Sequence, residues 1–558
     1  MKKIDSQLLF LTTSPRSPEK IIPEIDLLIK HFSGKEWNTD TQCAYMKTLR
    51  KTDFFNGKGN NDPAFSARDR INRAPKSLGF VLLDPNISLT AAGEKLLCSK
   101  HTDEVFLRQL LKFQIPSPYH RLSDLAADFC VKPYLEILRL IRTLGVLKFD
   151  ELQIFGMQLT NYHDFNKIVR KIERFREAVK LHKGSYRKFK ADYLNGELKR
   201  IYRHRIQKGQ TKTRESKDVS LEKFLRTQSR NTRDYADACF RYLRITGLVN
   251  VSHVGKSLSI VPNRLADVDY ILEHVSRKPV FVDNLAAYTE YLGDASTPVL
   301  LSDNSSVLLE RISSEFPQIS QPTSVNIDEL KDILADLLAK RKQESISRQI
   351  TEIKDCHQYE EIQATYEQIE KNELYDAPLM LEWNTWRAMT MIDGGRIQAN
   401  LKFDDYGNPL STAAGNMTDI LCDYDDYMVC VEVTMASGQR QYETEGESVM
   451  RHLGKLKKTS DKPCYGFFIA PKINEACVIY FYTLHHMNLS MYGGKLNIIP
   501  LPLNIFRKML NDSYCAEYTP NPMHIRRIFE ASDEYAKTSQ SELEWYDRIK
   551  EKALHWLD

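Results

Sequence analysis

The chain has no apolar run of the length a membrane-spanning helix needs, about eighteen residues or more. Its N-terminal region carries only the short apolar patch Leu8 to Leu11. Neither a membrane span nor a secretory signal is expected, and the protein reads as cytoplasmic. Ten cysteines are scattered without a single C-x-x-C pair. That spacing argues against a structural zinc site and against a secreted disulfide framework, so most are expected to be buried thiols. There is little net charge: 78 Lys and Arg face 74 Asp and Glu, a formal +4. The total therefore neither requires nor excludes nucleic acid, and the distribution of charge is more informative. No Gly-rich loop follows a strand near the start of any domain, which leaves a fused methyltransferase unsupported.

What is present is a chain of 558 residues, 42% hydrophobic and 27% charged. That length is too great for one core and predicts two or three domains of ordinary globular composition. The most informative stretch is Thr418 to Thr434. Asp419 precedes an Asp-rich turn, Asp423 to Asp426, and Glu432 follows inside the apolar run Met428 to Val433, which reads as a strand. A carboxylate in a buried strand is costly unless something pairs with it, and a divalent cation is such a partner. Two adjacent antiparallel strands would bring Asp419 and Glu432 to one end of a sheet. A half-exposed strand with alternating polar residues fits these positions equally well.

Neighbouring residues extend the pattern. Glu382 opens a helical segment, and Glu445 and His452 lie seven apart, on one face of a helix. Glu382, Asp419, Glu432, Glu445 and His452 are thus ordered helix, strand, strand, helix, as a nuclease core of the PD-(D/E)xK type requires.

Elsewhere the chain reads as follows. Ser77 to Leu97 is expected to form strand, turn, strand and a helix entered through Thr90, a winged-helix-like unit. It is preceded by a segment carrying Arg68, Arg70 and Arg73. Arginine suits bidentate contact with guanine or phosphate, and a solvated helix accounts for the same residues. Leu122 to Leu147 reads as a helical region. Lys183 to Lys217 is strongly basic with interleaved Tyr186, Phe189, Tyr193 and Tyr202, either an electrostatic footprint for DNA phosphates or a basic loop. A helix is expected to open at Arg230, Asn231 and Arg233, followed by a hairpin across Gly255. That is a second wing-like unit whose helix start is placed to read a groove or hold phosphates. Residues 285–375 read as a helical linker. The expected architecture is multidomain α+β: a mainly helical DNA-recognition region over 1–284, the linker over 285–375, and an α/β nuclease domain with a mixed sheet over 376–558.

Thr412-Ala413-Ala414-Gly415-Asn416, Asp419, Glu432-Val433-Thr434 and Val449-Met450-Arg451-His452 resemble the cleavage domain of the AlwI family of type IIS restriction endonucleases, which includes the MlyI and PleI enzymes. Large subunits of heterodimeric nicking endonucleases are similar. Ser14 to Ile21, including Arg16, and Ala64 to Arg70 resemble the family's recognition half. Thr418 stands where the general nuclease pattern often has Pro, and Thr434 where it has Lys.

The resemblance implies recognition of a short asymmetric duplex sequence of about five base pairs, of the GGATC or GAGTC class, with cleavage at a fixed distance outside it. It also implies a prokaryotic source, a separate cognate DNA methyltransferase, and a transient homodimer or small nuclease subunit for the second strand. Mg²⁺ is the expected cofactor, held by Asp419 and Glu432. Glu382 and Glu445 are expected to assist, and His452 to accept a proton in place of the missing lysine. Rival expectations are a strand-specific nicking enzyme, a catalytically inactive DNA-binding regulator, and a structure-selective or repair nuclease on the same core.

Overall fold

The computed structural model describes residues 4, 6–52, 54–55, 62–120, 122–126, 128–213, 216–318, 326–356, 358–393, 395–404, 407–412, 417–516, 518 and 520–558. Ala413 to Asn416 of the family-like motif, and Arg214 and Glu215 of the basic stretch, lie outside these residues. No helix among them is long and apolar enough to cross a membrane. The chain divides into two compact units, Met1–Lys51 with Gly57–Ala335, and Thr52–Asn56 with Asp336–Asp558.

In the first unit, α1 (Pro63–Ile71) is capped by Asp62, whose side chain accepts from Phe65 N–H. The antiparallel hairpin β1 (Val81–Leu82) and β2 (Ser88–Leu89) follows. Thr90 then caps α2 (Ala91–Cys98) by accepting from Gly93 N–H. The order helix, hairpin, helix is as expected, but Ser77 to Gly79 form helix and turn rather than strand. Gly79 sits at φ +80°, and a Cβ there would come within 2.5 Å of Leu292. Glycine is needed both for the conformation and for that close approach.

Next come α3 (Thr102–Lys112), α4 (Pro133–Leu144) and β3 (Val146–Lys148). Regular α-helix in the Leu122 to Leu147 region begins only at Pro133, a residue suited to a helix's first turn because it has no N–H to leave unpaired. α5 (Phe165–Leu181) and α6 (Tyr186–Ile201) pack through Phe175, Phe189 and Tyr193, with centroids 4.9–5.9 Å apart. Phe189 and Tyr193 of the basic stretch therefore belong to a helix–helix contact, Tyr186 donates to Asp150, Tyr202 packs on Phe224, and Arg187, Lys188, Lys199 and Arg200 are left exposed.

The helix expected to start at Arg230 is α7 (Leu221–Arg244), which begins nine residues earlier because Ser220 caps it through Lys223 N–H. β4 (Val249–Ser252) and β5 (Ser257–Ile260) make the expected hairpin, and β3 adds on the far side of β5.

Residues 285–375 are not a separate linker. α8 (Leu285–Gly293) and the loop after it are fastened to α3. Arg108 donates to the Ser296 carbonyl and forks onto Asp303 at 2.7 and 2.8 Å, Gln109 donates to the Leu78 and Leu292 carbonyls, and Lys112 donates to those of Leu292 and Asp294. Burial holds Lys112 down at about 7. The division between the units falls in the chain between Ala335 and Asp336, inside α9 (Ile327–Lys354). On its first-unit side, buried Lys331 pairs with Glu104 and Asp303, each at 2.7 Å.

The second unit continues with α10 (Tyr359–Glu370) and α11 (Ala377–Asp393), then β6 (Arg396–Ala399) and a small sheet of β7 (Leu401–Phe403) with β8 (Pro409–Thr412). β9 (Ile420–Asp423), β10 (Met428–Val433), α12 (Gln439–Thr459), β11 (Cys464–Ala470), α13 (Glu475–His486) and β12 (Ile498–Pro502) follow, and α14 (Leu503–Cys515), α15 (Pro522–Thr538) and α16 (Glu542–Leu554) close the chain. The main sheet is mixed, in the order β12-β11-β10-β9-β6, with β6, β9 and β10 antiparallel and β10, β11 and β12 parallel. Val429, Val431, Phe467, Ile469, Ile499 and Leu501 are buried in its core with Trp386, Phe506 and Trp545. Strands buried on both faces read as near-continuous apolar runs, which is the pattern of β10 and β11.

Candidate active site

The antiparallel register of β9 and β10 pairs Ile420 with Val431. Carried one residue further, it sets Asp419 opposite Glu432, and residues directly opposite share a face. The Asp419 carboxylate accepts the Val433 N–H at 2.9 Å, and its own carbonyl accepts Asn400 N–H at 2.8 Å. Glu432 is only 5% exposed. Its Oε1 lies 2.8 Å from His452 Nδ1 and accepts from Cys430 Sγ at 3.5 Å.

α11 and α12 bring the remaining groups. Glu382 accepts from Thr412 Oγ1 at 3.3 Å, and Glu445 accepts from Thr434 Oγ1 at 3.1 Å. Glu445 and His452 both turn toward the end of β10, as their seven-residue spacing requires.

The electrostatics are those of acids crowded away from water. Burial and then Glu432 push Asp419 well above the usual carboxylate range, and burial and then Asp419 do the same to Glu382. Burial raises Glu432 to about 8, opposed by hydrogen bonds from Thr418 and Cys430. Burial, with Arg451 and Lys455 nearby, holds His452 down at about 4, so its ring is neutral near pH 7. Its Nε2 is buried without a partner. With Glu432 ionised, Nδ1 donates to the carboxylate and Nε2 is the free acceptor.

The elevated carboxylates predict a pH effect on the metal-free protein. An unfolded Glu titrates near its ordinary value of 4.5, whereas burial lifts folded Glu432 to about 8. The folded state therefore holds the extra proton between those values. This contribution is fully present below the unfolded pKa and is lost as pH rises through the folded one. In EDTA the melting temperature of the second unit should fall from pH 5.5 to pH 8.5, by roughly 2–4 °C per kcal/mol lost. Glu432→Gln should flatten the profile. A melting temperature that rises over this interval in the wild type contradicts the assignment.

Among the described residues no three His, Cys, Asp or Glu side chains are drawn together as a closed metal cage. A Ca²⁺ or Zn²⁺ cage of several protein ligands is thus not built here. Two facing carboxylates, each raised by burial and one also by its neighbour, are nevertheless a donor set that Mg²⁺ accepts, since it keeps several waters and takes one or two carboxylates plus phosphate oxygens.

Three threonines were not singled out as functional from the sequence. Thr412 and Thr434 hold Glu382 and Glu445, while Thr418 donates toward the Val431 carbonyl at 3.1 Å and lies 2.9 Å from Cys430 Sγ. As β-branched residues in or beside strands they look like ordinary sheet positions, and their only signal was that Thr418 and Thr434 stand where the nuclease pattern has other residues. Thr434 also accepts Ala436 N–H at 3.0 Å, so the hydroxyl is fixed at both ends. Thr434→Val should lower cleavage about ten- to hundredfold, the usual cost of losing an outer-shell partner, and Thr434→Ser should recover most of it. Unchanged cleavage by Thr434→Val in a Mg²⁺ titration would remove Thr434 from the site.

The seven DNA-binding candidates belong to the first unit and do not act alike. Arg70 forks onto Glu24, with Nε at 3.0 Å from Oε2 and Nη2 on Oε1. Because the Glu24 side chain has no exposure, this guanidinium serves as the counterion of a buried carboxylate. Arg68 donates to Gln42 at 2.7 Å, and Arg73 pairs with Asp69 at 2.6 Å and donates to Thr13. Arg16 pairs with Asp237 at 3.3 Å and stays 72% exposed. Arg230 and Arg233 are exposed and Asn231 is half-buried, all in the middle of α7 rather than at a helix start.

A family model described as AlwI restriction endonuclease matches residues 76–509. Comparison with curated proteins gives no match. Among solved structures, the small subunit of the heterodimeric restriction endonuclease R.BspD6I aligns at 25% identity and TM-score 0.28, over 36% of this chain and 95% of that one. The binding domain of the BpuJ1 endonuclease, solved with pyrene- and phenanthrene-modified DNA, aligns at 12% identity and TM-score 0.34, over 52% of this chain and 100% of that one.

Proposed function

Because the chain belongs to the AlwI restriction endonuclease family and is therefore a restriction enzyme that cleaves DNA, we propose that it is a Mg²⁺-dependent enzyme of type IIS. It would recognise a short asymmetric duplex sequence and hydrolyse phosphodiester bonds at a fixed distance outside it. The observation that carries the catalytic part is the pairing of Asp419 with Glu432 across β9 and β10, backed by His452 on Glu432.

In this reading Asp419 and Glu432 hold the ion. When bound, it supplies charge neutralisation at the scissile phosphate and lowers the pKa of a coordinated water. The protein's own contribution follows from its contacts. Val433 N–H fixes the Asp419 carboxylate, which with Glu432 would hold the ion. Glu432 accepts from His452 Nδ1 and so orients the ring. His452 Nε2, neutral and unpartnered, accepts the proton of the attacking water. Glu382 and Glu445, each held by a threonine hydroxyl, add ligands or position that water. Thr434 supplies no cation in place of the pattern's lysine.

One such constellation breaks one strand. Cutting both requires a second copy of the domain or a small partner subunit, and strand-specific nicking is the outcome without either. The test is supercoiled plasmid with Mg²⁺ beside plasmid with EDTA, followed by run-off sequencing of both strands. Cuts at a constant offset from one short asymmetric sequence support the reading, and conversion to open circle without linear product assigns nicking. Specific binding without Mg²⁺-dependent cleavage would replace it with the regulator, or with a large subunit awaiting its partner.

A further inference from the structure

The loop from Thr12 to Pro18 packs where α7 and the end of the 63–77 helical segment meet. Tyr242 OH donates to the Pro15 carbonyl at 3.1 Å, Ala74 N–H donates to the Ser14 carbonyl at 3.4 Å, and Arg73 Nη1 donates to Thr13 Oγ1 at 3.1 Å. This carries Arg16 to α7, where Asp237 accepts its Nε at 3.3 Å and the Nε of Arg241 at 3.1 Å. Positions 230, 233, 234, 237 and 241 recur every three or four residues, so they form one stripe along the helix. Burial pushes the Asp234 carboxyl on that stripe upward, against the pull of Arg230, Arg233 and Arg16 and with a smaller push from Asp237. Residues more than two hundred positions apart thus make one cluster of exposed guanidiniums interleaved with two carboxylates.

Given that the enzyme reads a duplex sequence, as proposed above, we propose that Arg16, Arg230 and Arg233, set among Asp234 and Asp237, are the base-reading patch that enters the major groove. A patch built only to grip phosphates gains nothing from two carboxylates, which repel the backbone. Base edges use both signs, since arginine forks onto guanine O6 and N7 and aspartate accepts from cytosine N4. Arg16 spends Nε on Asp237, which fixes the plane of its guanidinium and leaves the Nη edge outward on a side chain that is 72% exposed. Arg230 and Arg233 have no ion-pair partner within 4 Å among the described residues, and both are exposed. The carboxylate-poor surface of α6, with Arg187, Lys188 and Lys199 exposed, is the contrasting kind, suited to phosphates.

The test uses full-length protein and a set of duplexes, each carrying one substitution in the sequence that run-off sequencing identifies for the wild type. Competition binding is measured at several salt concentrations for the wild type, Arg16→Ala, Arg16→Lys and Arg233→Ala, with melting curves as the folding control. Arg16→Ala should lower discrimination at one or two G·C positions about ten- to hundredfold, with the salt slope retained. Arg16→Lys should not restore it, because an ammonium lacks the fork. Should Arg16→Ala unfold, Arg233→Ala on the exposed helix face carries the same expectation. Uniform weakening on every duplex, with the salt slope reduced by about one, assigns phosphate contacts and overturns the proposal, as does unchanged discrimination. A wild type without sequence preference overturns the proposed function itself, not the position of the patch.

Discussion

Asp419→Ala and Glu432→Ala should each reduce single-turnover plasmid cleavage by roughly three orders of magnitude or more, while sequence-specific binding stays within a few fold of the wild type. Either loss removes half of a two-carboxylate ion site, and with it several kcal/mol of transition-state charge stabilisation, each 1.36 kcal/mol being tenfold in rate. Glu432→Ala also releases His452 Nδ1 from the carboxylate 2.8 Å away, so ion and proton acceptor fail together. The binding half of the prediction rests on these residues belonging to the second unit, whereas the arginine candidates lie in the first. Cleavage at the normal rate by either variant would dismiss this carboxylate pair as the active site.

The second large effect is on stability. Arg70→Ala leaves the Glu24 carboxylate in the core without its counterion, at a cost of about 3–5 kcal/mol. Burial already pushes Glu24 upward against Arg70's pull, so the variant should recover part of the loss at acid pH, where the carboxyl takes a proton. Urea titrations at pH 5 and pH 8 measure both effects, and the double variant Glu24→Leu with Arg70→Leu should regain most of the stability. A variant that melts normally yet binds its recognition sequence less tightly would return Arg70 to the DNA-reading residues.

The carboxylate-bearing second unit was legible in the sequence because its signals are local. An acid inside an apolar strand, an Asp-rich turn and a seven-residue helical spacing placed β9, β10 and α12, whose ends draw Asp419, Glu432, Glu445 and His452 together. The first unit was less legible because its arginines are sorted by partners that lie far away in sequence. Arg70 meets Glu24 across 46 residues and Arg16 meets Asp237 across 221, and neither pairing leaves a periodic trace. The helix at Arg230 was placed too late because its cap, Ser220, sits in a polar run that reads as loop. The attachment of α8 was not legible for a similar reason: nothing in the sequence marks Arg108, Gln109 and Lys112 as the side chains that hold the carbonyls around it.

β12 lies at one edge of the main sheet, and Gly466 N–H bonds to the Asn497 carbonyl at 2.9 Å. Backbone groups of residues 497, 499 and 501 therefore turn toward β11, and those of Ile498, Pro500 and Pro502 turn outward. Two of these three have no N–H to offer, so this border is a poor template for another strand. Growth of the sheet from one molecule into the next is blocked on that side. A second catalytic unit, if the proposed double-strand cleavage recruits one, would not join this one by strand pairing along β12.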